Sequence, residues 1–211
     1  MAAQWPRAQV VATDITLPAI TPPANVALVQ SDADKPWPFH DRKFSFIHGR
    51  MLCSGIHDWP GLLSRCWEHL EPAGWLELLD ICHPFRADDP AADNNTSAFI
   101  KFGHVAEASW KANGLDYRTT LKHEERLHAL GFQHVKETRE QWPIGEWGDT
   151  GKARRIGALS LQNFNTFLPT AGRTILANHP SLTAQEAEKL IDEALADLRD
   201  NCMTKRFYLS L

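Results

Sequence analysis

A strand, a helix and a second strand follow one another between residues 43 and 82, and this order constrains the fold more than any other feature. Lys43–Met51 (KFSFIHGRM) is a short apolar segment, and Trp75–Cys82 (WLELLDIC) is another. Between them, Asp58 and Pro60 suit the start of a helix. The residues that follow have helical spacing, and one face of the predicted helix carries the side chains of Leu62, Leu63, Cys66, Trp67 and Leu70. A helix that joins two such strands is typical of a parallel α/β sheet.

Two further strand candidates precede this unit, and the second half of the chain is mostly helical. Gln9–Ile15 and Asn25–Gln30 are short apolar runs, and the proline-rich segment between them excludes an ordinary helix. Apolar spacing predicts helices at 95–113, 119–130, 152–167 and 184–199, and strands at 132–140 and 206–211. A helix followed by a returning strand indicates an antiparallel pair at one edge of the sheet.

The composition indicates one globular domain without a strong electrostatic target. A chain of 211 residues with 43% hydrophobic and 23% charged residues can bury a core, which excludes a disordered chain. Its 22 Lys and Arg against 26 Asp and Glu give a net charge of −4, so we expect neither a nucleic-acid nor a membrane surface. Eight tryptophans favour aromatic-lined cavities or interfaces in addition to core packing.

The cysteines and histidines lack the spacing of a metal site, and we expect no metal. Cys53, Cys66, Cys82 and Cys202 include no C-x-x-C pair, which excludes a zinc framework and a secreted disulfide scaffold. His123 and His128 are five residues apart in a predicted helix and do not share a face. Because no apolar run approaches the roughly 20 residues of a membrane span, the expected location is cytoplasmic, or nuclear.

Eight short motifs occur in the same order as in one known protein family. The motifs are Thr13-Asp14-Ile15, Asp32 before Trp37-Pro38-Phe39, Phe46-Ile47-His48-Gly49-Arg50, Asp58-Trp59, His69-Leu70-Glu71-Pro72-Ala73-Gly74-Trp75-Leu76-Glu77, Asp88-Asp89, Gly131-Phe132 and Pro143-Ile144-Gly145-Glu146-Trp147. In this order they resemble the LaeA-like group of fungal class I methyltransferases, which depend on S-adenosylmethionine (SAM) and are associated with secondary metabolism.

The resemblance implies an α/β fold: a Rossmann-like sheet with a helical substrate lid in a single methyltransferase-like domain. The implied division is 1–90 for the partial sheet, 91–130 and 152–204 for the lid and C-terminal helices, and 131–145 and 205–211 for the terminal antiparallel strands.

The resemblance also implies cofactor-binding residues at the strand ends. Asp14 would accept hydrogen bonds from the SAM ribose hydroxyls, because a diol offers two donors to one carboxylate. Asp32 and Ala33 match the position that holds the adenine edge, and His48 lies in the strand end beside the methionine part. Each has a structural alternative: a turn aspartate for Asp14, a polar turn for Asp32 and a core histidine for His48.

One part of the family pattern has no counterpart in these 211 residues. The family's first strand leads into a D-x-G-x-G-x-G loop, whose glycines let backbone N–H groups approach the methionine portion of SAM. Here the only glycines before residue 60 are Gly49 and Gly55. We therefore expect an incomplete sheet without the first strand and the Gly-rich loop. The position of the missing strand could be filled by the chain's own N-terminus, by a second copy of the chain or by a methyltransferase-like subunit. Alternatively, the segment is missing because the coding sequence has lost its 5′ end.

The substrate site is expected over the carboxyl ends of the parallel strands. Its floor would be 48–52 and 80–83, and its lid 99–110 with the loop 142–147. The implied substrate contacts are Arg50, Phe99, Trp110, Trp142 and Trp147. His83 is the candidate catalytic residue, because it follows a strand and lies near Asp88 and Asp89, although these aspartates also suit a helix cap.

The sequence is compatible with three functions. The first is a methyltransferase-like protein that does not methylate by itself and binds, cyclises or isomerises a small natural product without a cofactor, by holding a reactive conformer. The second is a SAM-dependent small-molecule methyltransferase whose site another chain completes. The third is a non-catalytic partner subunit of a methyltransferase-like regulatory complex. We expect no SAM binding of normal affinity by this chain alone, and we expect a homo-oligomer or a methyltransferase-like partner.

Overall fold

The computed structural model describes residues 2–89, 92 and 96–210, apart from the side chain of His83. The strands are β1 (Val10–Asp14), β2 (Val26–Gln30), β3 (Phe44–Arg50), β4 (Leu70–Leu79), β5 (Cys82–Ala87), β6 (Gln141–Pro143) and β7 (Phe207–Ser210). The helices are α1 (Trp59–His69), α2 (Ala98–Ala112), α3 (His123–Leu130), α4 (Gly151–Phe167), α5 (Arg173–Ala177) and α6 (Ala184–Asn201). Single turns of 3-10 or π-helix precede α3, α5 and β7. Within the described ranges, no helix is long and apolar enough to cross a membrane.

The predicted strand–helix–strand unit forms in β3, α1 and β4. The Asp58 carboxylate accepts the N–H of Gly61 at 2.9 Å and thereby caps α1. β3 and β4 pair in parallel, with Ile47 opposite Leu76. The side of this pair that carries Ile47, Leu76 and Leu78 packs on the cluster of Ile56, Trp59, Leu62 and Cys66. The α/β fold class predicted from the sequence is confirmed.

The strands form three separate small sheets rather than one. β1 pairs with β2 in parallel, β3 pairs with β4 in parallel, and β7 lies between β5 and β6 in an antiparallel sheet. In the part of the chain that the structure describes, β1 and β3 do not pair with each other. This interruption agrees with the incomplete class I sheet expected from the sequence.

Two strand predictions, for 75–82 and for 132–140, are wrong. The strand predicted for 75–82 is β4, which begins at Leu70 and ends at Leu79, and β5 was not anticipated. The strand predicted for 132–140 does not form, and pairing begins only at β6. The reason is that β7 has four residues and reaches only β6, so the preceding segment has no ladder partner. His134 within that segment also has a positive φ of 56°, which interrupts an extended backbone.

The main core lies in the C-terminal half, where the helices pack on the antiparallel sheet. Four rings form its centre: Phe85 stacks on Phe99 at 5.1 Å, while Phe164 and Phe207 contact Phe99 at 5.2 and 5.1 Å between centroids. Among the described residues, every buried hydrophobic side chain lies at Cys53 or later. Neither β1 nor β2 therefore contributes a fully buried hydrophobic side chain, and the core is built from residues that follow them.

A buried carboxylate ties two helices together inside this core. Asp197 of α6, which is 7% exposed, accepts hydrogen bonds from the Ser97 hydroxyl and from the Phe99 N–H at the start of α2. Lys205 forms an ion pair with the same carboxylate. Burial raises the pKa of Asp197, but the hydrogen bonds and the Lys205 charge outweigh this effect and hold the pKa below its ordinary value.

We predict that Asp197→Asn destabilises the domain by about 3 kcal/mol, since one partner of a buried ion pair is removed while Lys205 keeps its charge. In a domain of this size the loss lowers the melting temperature by roughly 6–12 °C. Circular dichroism melts at neutral pH measure the change. Asp200→Asn, on the exposed side of the same helix, is the matched control and should shift the melting temperature little. Equal melting temperatures for the two variants would contradict the role assigned to Asp197.

Candidate functional site

The carboxyl ends of β1 and β2 form an acidic ledge, on which Asp14 is exposed and Asp32 is half-buried. Asp14 is the last residue of β1, and its Oδ1 accepts the N–H of Thr16 at 3.0 Å. The carbonyl of Asp14 accepts the N–H of Ser31 at 3.0 Å, so the two strand ends are tied together. Asp32 follows directly, and its Oδ1 accepts the N–H of Asp34 at 2.9 Å. The structure thus brings the predicted Asp14 and Asp32 together, each in a local turn.

Asp34 anchors this ledge to the start of α1, and sequence reasoning did not single it out. Its carboxylate accepts the N–H of His57 at 3.0 Å, the N–H of Asp58 at 3.2 Å and a hydrogen bond from the His57 ring at 3.0 Å. Burial raises the pKa of Asp34, but these hydrogen bonds outweigh it and hold the pKa below its usual range. The carbonyl of the predicted Ala33 accepts a hydrogen bond from Arg65 of α1 at 2.8 Å. These contacts fix the loop after Asp32.

The exposed face of the β3–β4 pair carries the predicted His48 and Arg50. His48 Nδ1 lies 2.8 Å from Oε2 of Glu77, its cross-strand neighbour, and its ring stacks on Phe46. Arg50 is exposed and lies opposite Leu79. His48 is therefore a surface histidine with a carboxylate partner and does not pack in the core.

Asp80 joins the carboxyl ends of β3 and β4. Its Oδ2 accepts the N–H groups of Leu52 and Cys53, both at 2.8 Å, and its Oδ1 accepts the N–H of Ile81. Burial, followed by the negative charge of Asp80, raises the pKa of the Cys53 thiol far above its ordinary value. Cys53 is therefore a protonated thiol at neutral pH and not a nucleophile.

The predicted catalytic and substrate residues are not gathered in one place. The backbone of His83 belongs to β5, while its side chain lies outside the described residues, so its role stays a prediction. Phe99 is 0% exposed in the aromatic core, and a ligand would have to displace that packing to reach it. Trp110 stacks on Tyr117 at 4.2 Å. Trp147 donates its indole N–H to the carbonyl of Phe207 at 3.1 Å. Trp142, on β6, is half-buried against the same core.

A groove of about 1060 Å³ lies beside β4, on the side away from β3. One wall is the continuous stretch 70–80, and the other is the continuous stretch 131–139. Trp67 contacts Phe132 edge-on at 4.9 Å and closes one end. Thr120 and His123 line the other end, next to Asp80. Of the described side chains of the predicted substrate floor, those of Asp80 and Cys82 line this groove.

His123 is a half-buried histidine whose two ring nitrogens are buried, and the sequence analysis considered it only as a metal ligand. Its ring lies 4.4 Å from the Trp59 ring, and neither ring nitrogen has a hydrogen-bond partner among the described residues. Burial, and after it the positive charge of Arg126, lowers the pKa of His123 to about 4, so the imidazole is neutral at pH 7. A buried unpaired histidine of this kind leaves no regular signal in the sequence, because it depends on packing against α1.

Comparisons with known proteins agree with this arrangement. The sequence profile of the methyltransferase domain family matches residues 1–136. Methyltransferase pytC of Aspergillus terreus is 30% identical over 142 residues, which are 67% of this chain and 43% of the relative. Methyltransferase cpsF of Aspergillus campestris is 25% identical over 181 residues, 83% of this chain and 62% of the relative. The secondary metabolism regulator LAE1 of Cochliobolus heterostrophus is 29% identical over 163 residues, 74% of this chain and 52% of the relative.

The chain spans about half the length of these curated relatives, between 43% and 62%. The family match covers β1 to α3 and thus includes Asp14, Asp32, Asp34 and Asp80. Matches with fungal secondary-metabolism proteins continue into the helical half of the chain. The relatives include a fungal secondary metabolism regulator, and the chain is similar to this LaeA-like group. The chain belongs to the methyltransferase domain family.

Proposed function

We propose that this chain carries the nucleoside-binding part of a SAM-dependent methyltransferase site, that another polypeptide segment completes the site, and that the 211 residues alone do not methylate. The observation that carries the proposal is a pair of carboxylates, the exposed Asp14 and the half-buried Asp32, at the carboxyl ends of two neighbouring parallel strands. Ligands of open α/β sheets bind outside the carboxyl ends of the strands.

The residues at this ledge fit the adenosine end of SAM. The Thr16 N–H occupies only Oδ1 of Asp14, and the exposed carboxylate retains acceptor capacity for the two hydroxyls of a ribose. The loop of Asp32 and Ala33, held by Arg65 and by Asp34, would face the adenine. SAM would supply the electrophilic methyl group when bound there. The part of these residues is to bind and orient the nucleoside.

The methionine end of SAM lacks equivalent donors within the 211 residues. Backbone N–H groups of a glycine-rich turn are suited to that end, and no such turn precedes β1 or follows it in this sequence. His48, at the strand that would lie closest, already contacts Glu77. These observations support weak SAM binding by this chain alone.

The strand edges support completion by another segment. β1 pairs only with β2, and β3 pairs only with β4, within the described residues. Each strand therefore keeps one main-chain edge unpaired, and such edges pair readily with another strand. A second copy of this chain or a methyltransferase-like partner could supply that strand together with donors for the methionine end.

The second candidate function is a cofactor-independent cyclisation or isomerisation of a small natural product. The observation that favours it is the absence of a glycine-rich turn from the 211 residues, since a unimolecular rearrangement requires only a cavity that holds a reactive conformer. On this hypothesis, the exposed Arg50 and the strand end at Asp80 would contact the substrate, and His83 would move the proton.

Calorimetry separates the two candidates. We predict that the purified 211-residue chain binds SAM with a dissociation constant weaker than roughly 100 μM, and that adenosine binds about as well, since only the nucleoside end is held. Asp14→Asn should weaken both by at least about tenfold, the loss of one charge-assisted hydrogen bond. Asp41→Asn, an exposed aspartate away from the ledge, is the control.

Low-micromolar SAM binding that adenosine does not share would show that this chain holds the methionine end by itself. Failure of both ligands to bind, with Asp14→Asn unchanged, would remove the nucleoside site and leave the cofactor-independent candidate.

We also predict that the chain self-associates at micromolar concentration, because the unpaired edges adjoin an exposed apolar face. On this face, Phe46 is 41% and Trp75 is 67% exposed. Phe46→Ser should weaken a dimer by about 2 kcal/mol if the aromatic ring is an interface anchor. Leu159→Ser, at a residue 57% exposed on α4, is the matched control. Light scattering measures both. A monomer of 23.8 kDa at all concentrations would contradict self-association.

A further inference from the structure

Two loops that follow parallel strands are joined by one side-chain pair, Asp34 and His57. Asp34 lies in the loop after β2, and His57 lies in the loop that connects β3 to α1. Nδ1 of the His57 ring lies 3.0 Å from Oδ2 of Asp34. Both loops begin at the carboxyl end of a strand, which is the end where α/β sheets bind their ligands. The pair therefore lies where a ligand of this domain is expected.

His57 is also close to the ledge of Asp14 and Asp32. The Asp32 carboxylate accepts the N–H of Asp34 at 2.9 Å, and the Asp34 carboxylate in turn contacts the His57 ring. Two hydrogen bonds therefore connect Asp32 to the imidazole. The imidazole is a neighbour of the loop that would face the adenine, on the side of that loop that faces α1.

The charge of Asp34 determines which ring nitrogen of His57 carries the hydrogen. Burial raises the pKa of Asp34, but hydrogen bonds from the main-chain N–H groups of His57 and Asp58 and from the His57 ring outweigh it and hold the pKa below its usual range. An ionised carboxylate can only accept hydrogen bonds, so Nδ1 of the neutral ring carries the hydrogen and donates it. Nε2 then keeps its lone pair and is a hydrogen-bond acceptor.

The His57 ring is held in position while Nε2 stays accessible. The main-chain N–H of His57 donates to the same Asp34 oxygen at 3.0 Å, so both ends of the residue are fixed to one carboxylate. Gly114, in the loop after α2, lies beside the ring, because a Cβ at that position would be 3.7 Å from Cδ2 of His57. The side chain of His57 is 58% exposed, and Nε2 has no hydrogen-bond partner among the described residues. The pair thus presents one oriented acceptor next to the ledge.

We propose that the 6-amino group of adenine donates a hydrogen bond to Nε2 of His57, and that His57 thereby selects adenine over purines with a 6-oxo group. This inference rests on the nucleoside site given under the proposed function and adds the residue that distinguishes the base. The amino group of adenine has two N–H donors, so one can bond to Asp32 and the other to Nε2. A 6-oxo group is an acceptor and would face the lone pair of Nε2 without a hydrogen between them.

Nucleoside titrations of the 211-residue chain, followed by ligand-observed NMR at pH 7.5, test the proposal. The probes are adenosine and inosine, which share the ribose and differ at position 6 of the base. The unaltered chain should bind adenosine at least about tenfold more tightly than inosine. His57→Phe keeps a planar ring but lacks the acceptor, and it should lower this ratio at least about fivefold by weakening adenosine. His57→Lys replaces the acceptor by a donor and should favour inosine.

Two further variants separate base selection from the other roles of these residues. Asp14→Asn acts on the shared ribose, so it should weaken both nucleosides equally and leave their ratio unchanged. His128→Phe, at an exposed histidine of α3, is the matched control and should alter neither affinity.

The ratio of the two affinities decides the outcome. If His57→Phe lowers both affinities alike, together with the melting temperature, His57 only supports its loop. If the ratio is unchanged in His57→Phe, or is close to one in the unaltered chain, His57 does not read the base, and each of these results overturns the proposal. Binding of neither nucleoside by the unaltered chain would overturn the nucleoside site itself and this inference with it.

Discussion

Every β-strand has two main-chain edges that can hydrogen-bond to another strand. In this domain, the edges that are paired determine how the strands are divided among three small sheets. β7 is the one strand of the described structure with a partner on both sides. Among the described residues, β1, β2, β3 and β4 each have a ladder partner on one side only. The interruption between β1 and β3, the open groove beside β4 and the proposed need for additional polypeptide all follow from this one constraint.

Three carboxylates compensate locally for the missing sheet connections. Asp34 ties the loop after β2 to the residues that start α1, and Asp80 gathers the N–H groups that follow β3 at the end of β4. Asp197 performs the same task in the helical half, between α2 and α6. A carboxylate is effective here because it accepts several hydrogen bonds at once. The strand ends are therefore held in position even though the sheet between them is interrupted.

The main hydrophobic core and the candidate cofactor-binding residues lie in different parts of the chain. The Phe99 core and the Asp197 contacts use residues from Phe85 onward, while Asp14 and Asp32 lie at the ends of the first two strands. This division explains why aromatic residues expected to contact substrate, Phe99 above all, serve the core instead. On the ledge of the N-terminal strands, the carboxylate of Asp14 is exposed, while Asp32 is half-buried.

The sequence by itself determined the α/β class, the capped helix α1 between two parallel strands, and the family. Capping at Asp58 and the apolar spacing of α1 are local, so they can be recognised without tertiary contacts. The motif order was enough to single out Asp14 and Asp32, which the structure places at the ends of two paired strands. The tertiary structure alone decided which edges pair, because pairing depends on distant segments: the failure of 132–140 to form a strand follows from the short reach of β7. The buried, neutral state of His123 and the convergence of hydrogen bonds on Asp34 and Asp80 likewise depend on packing between residues far apart in the chain.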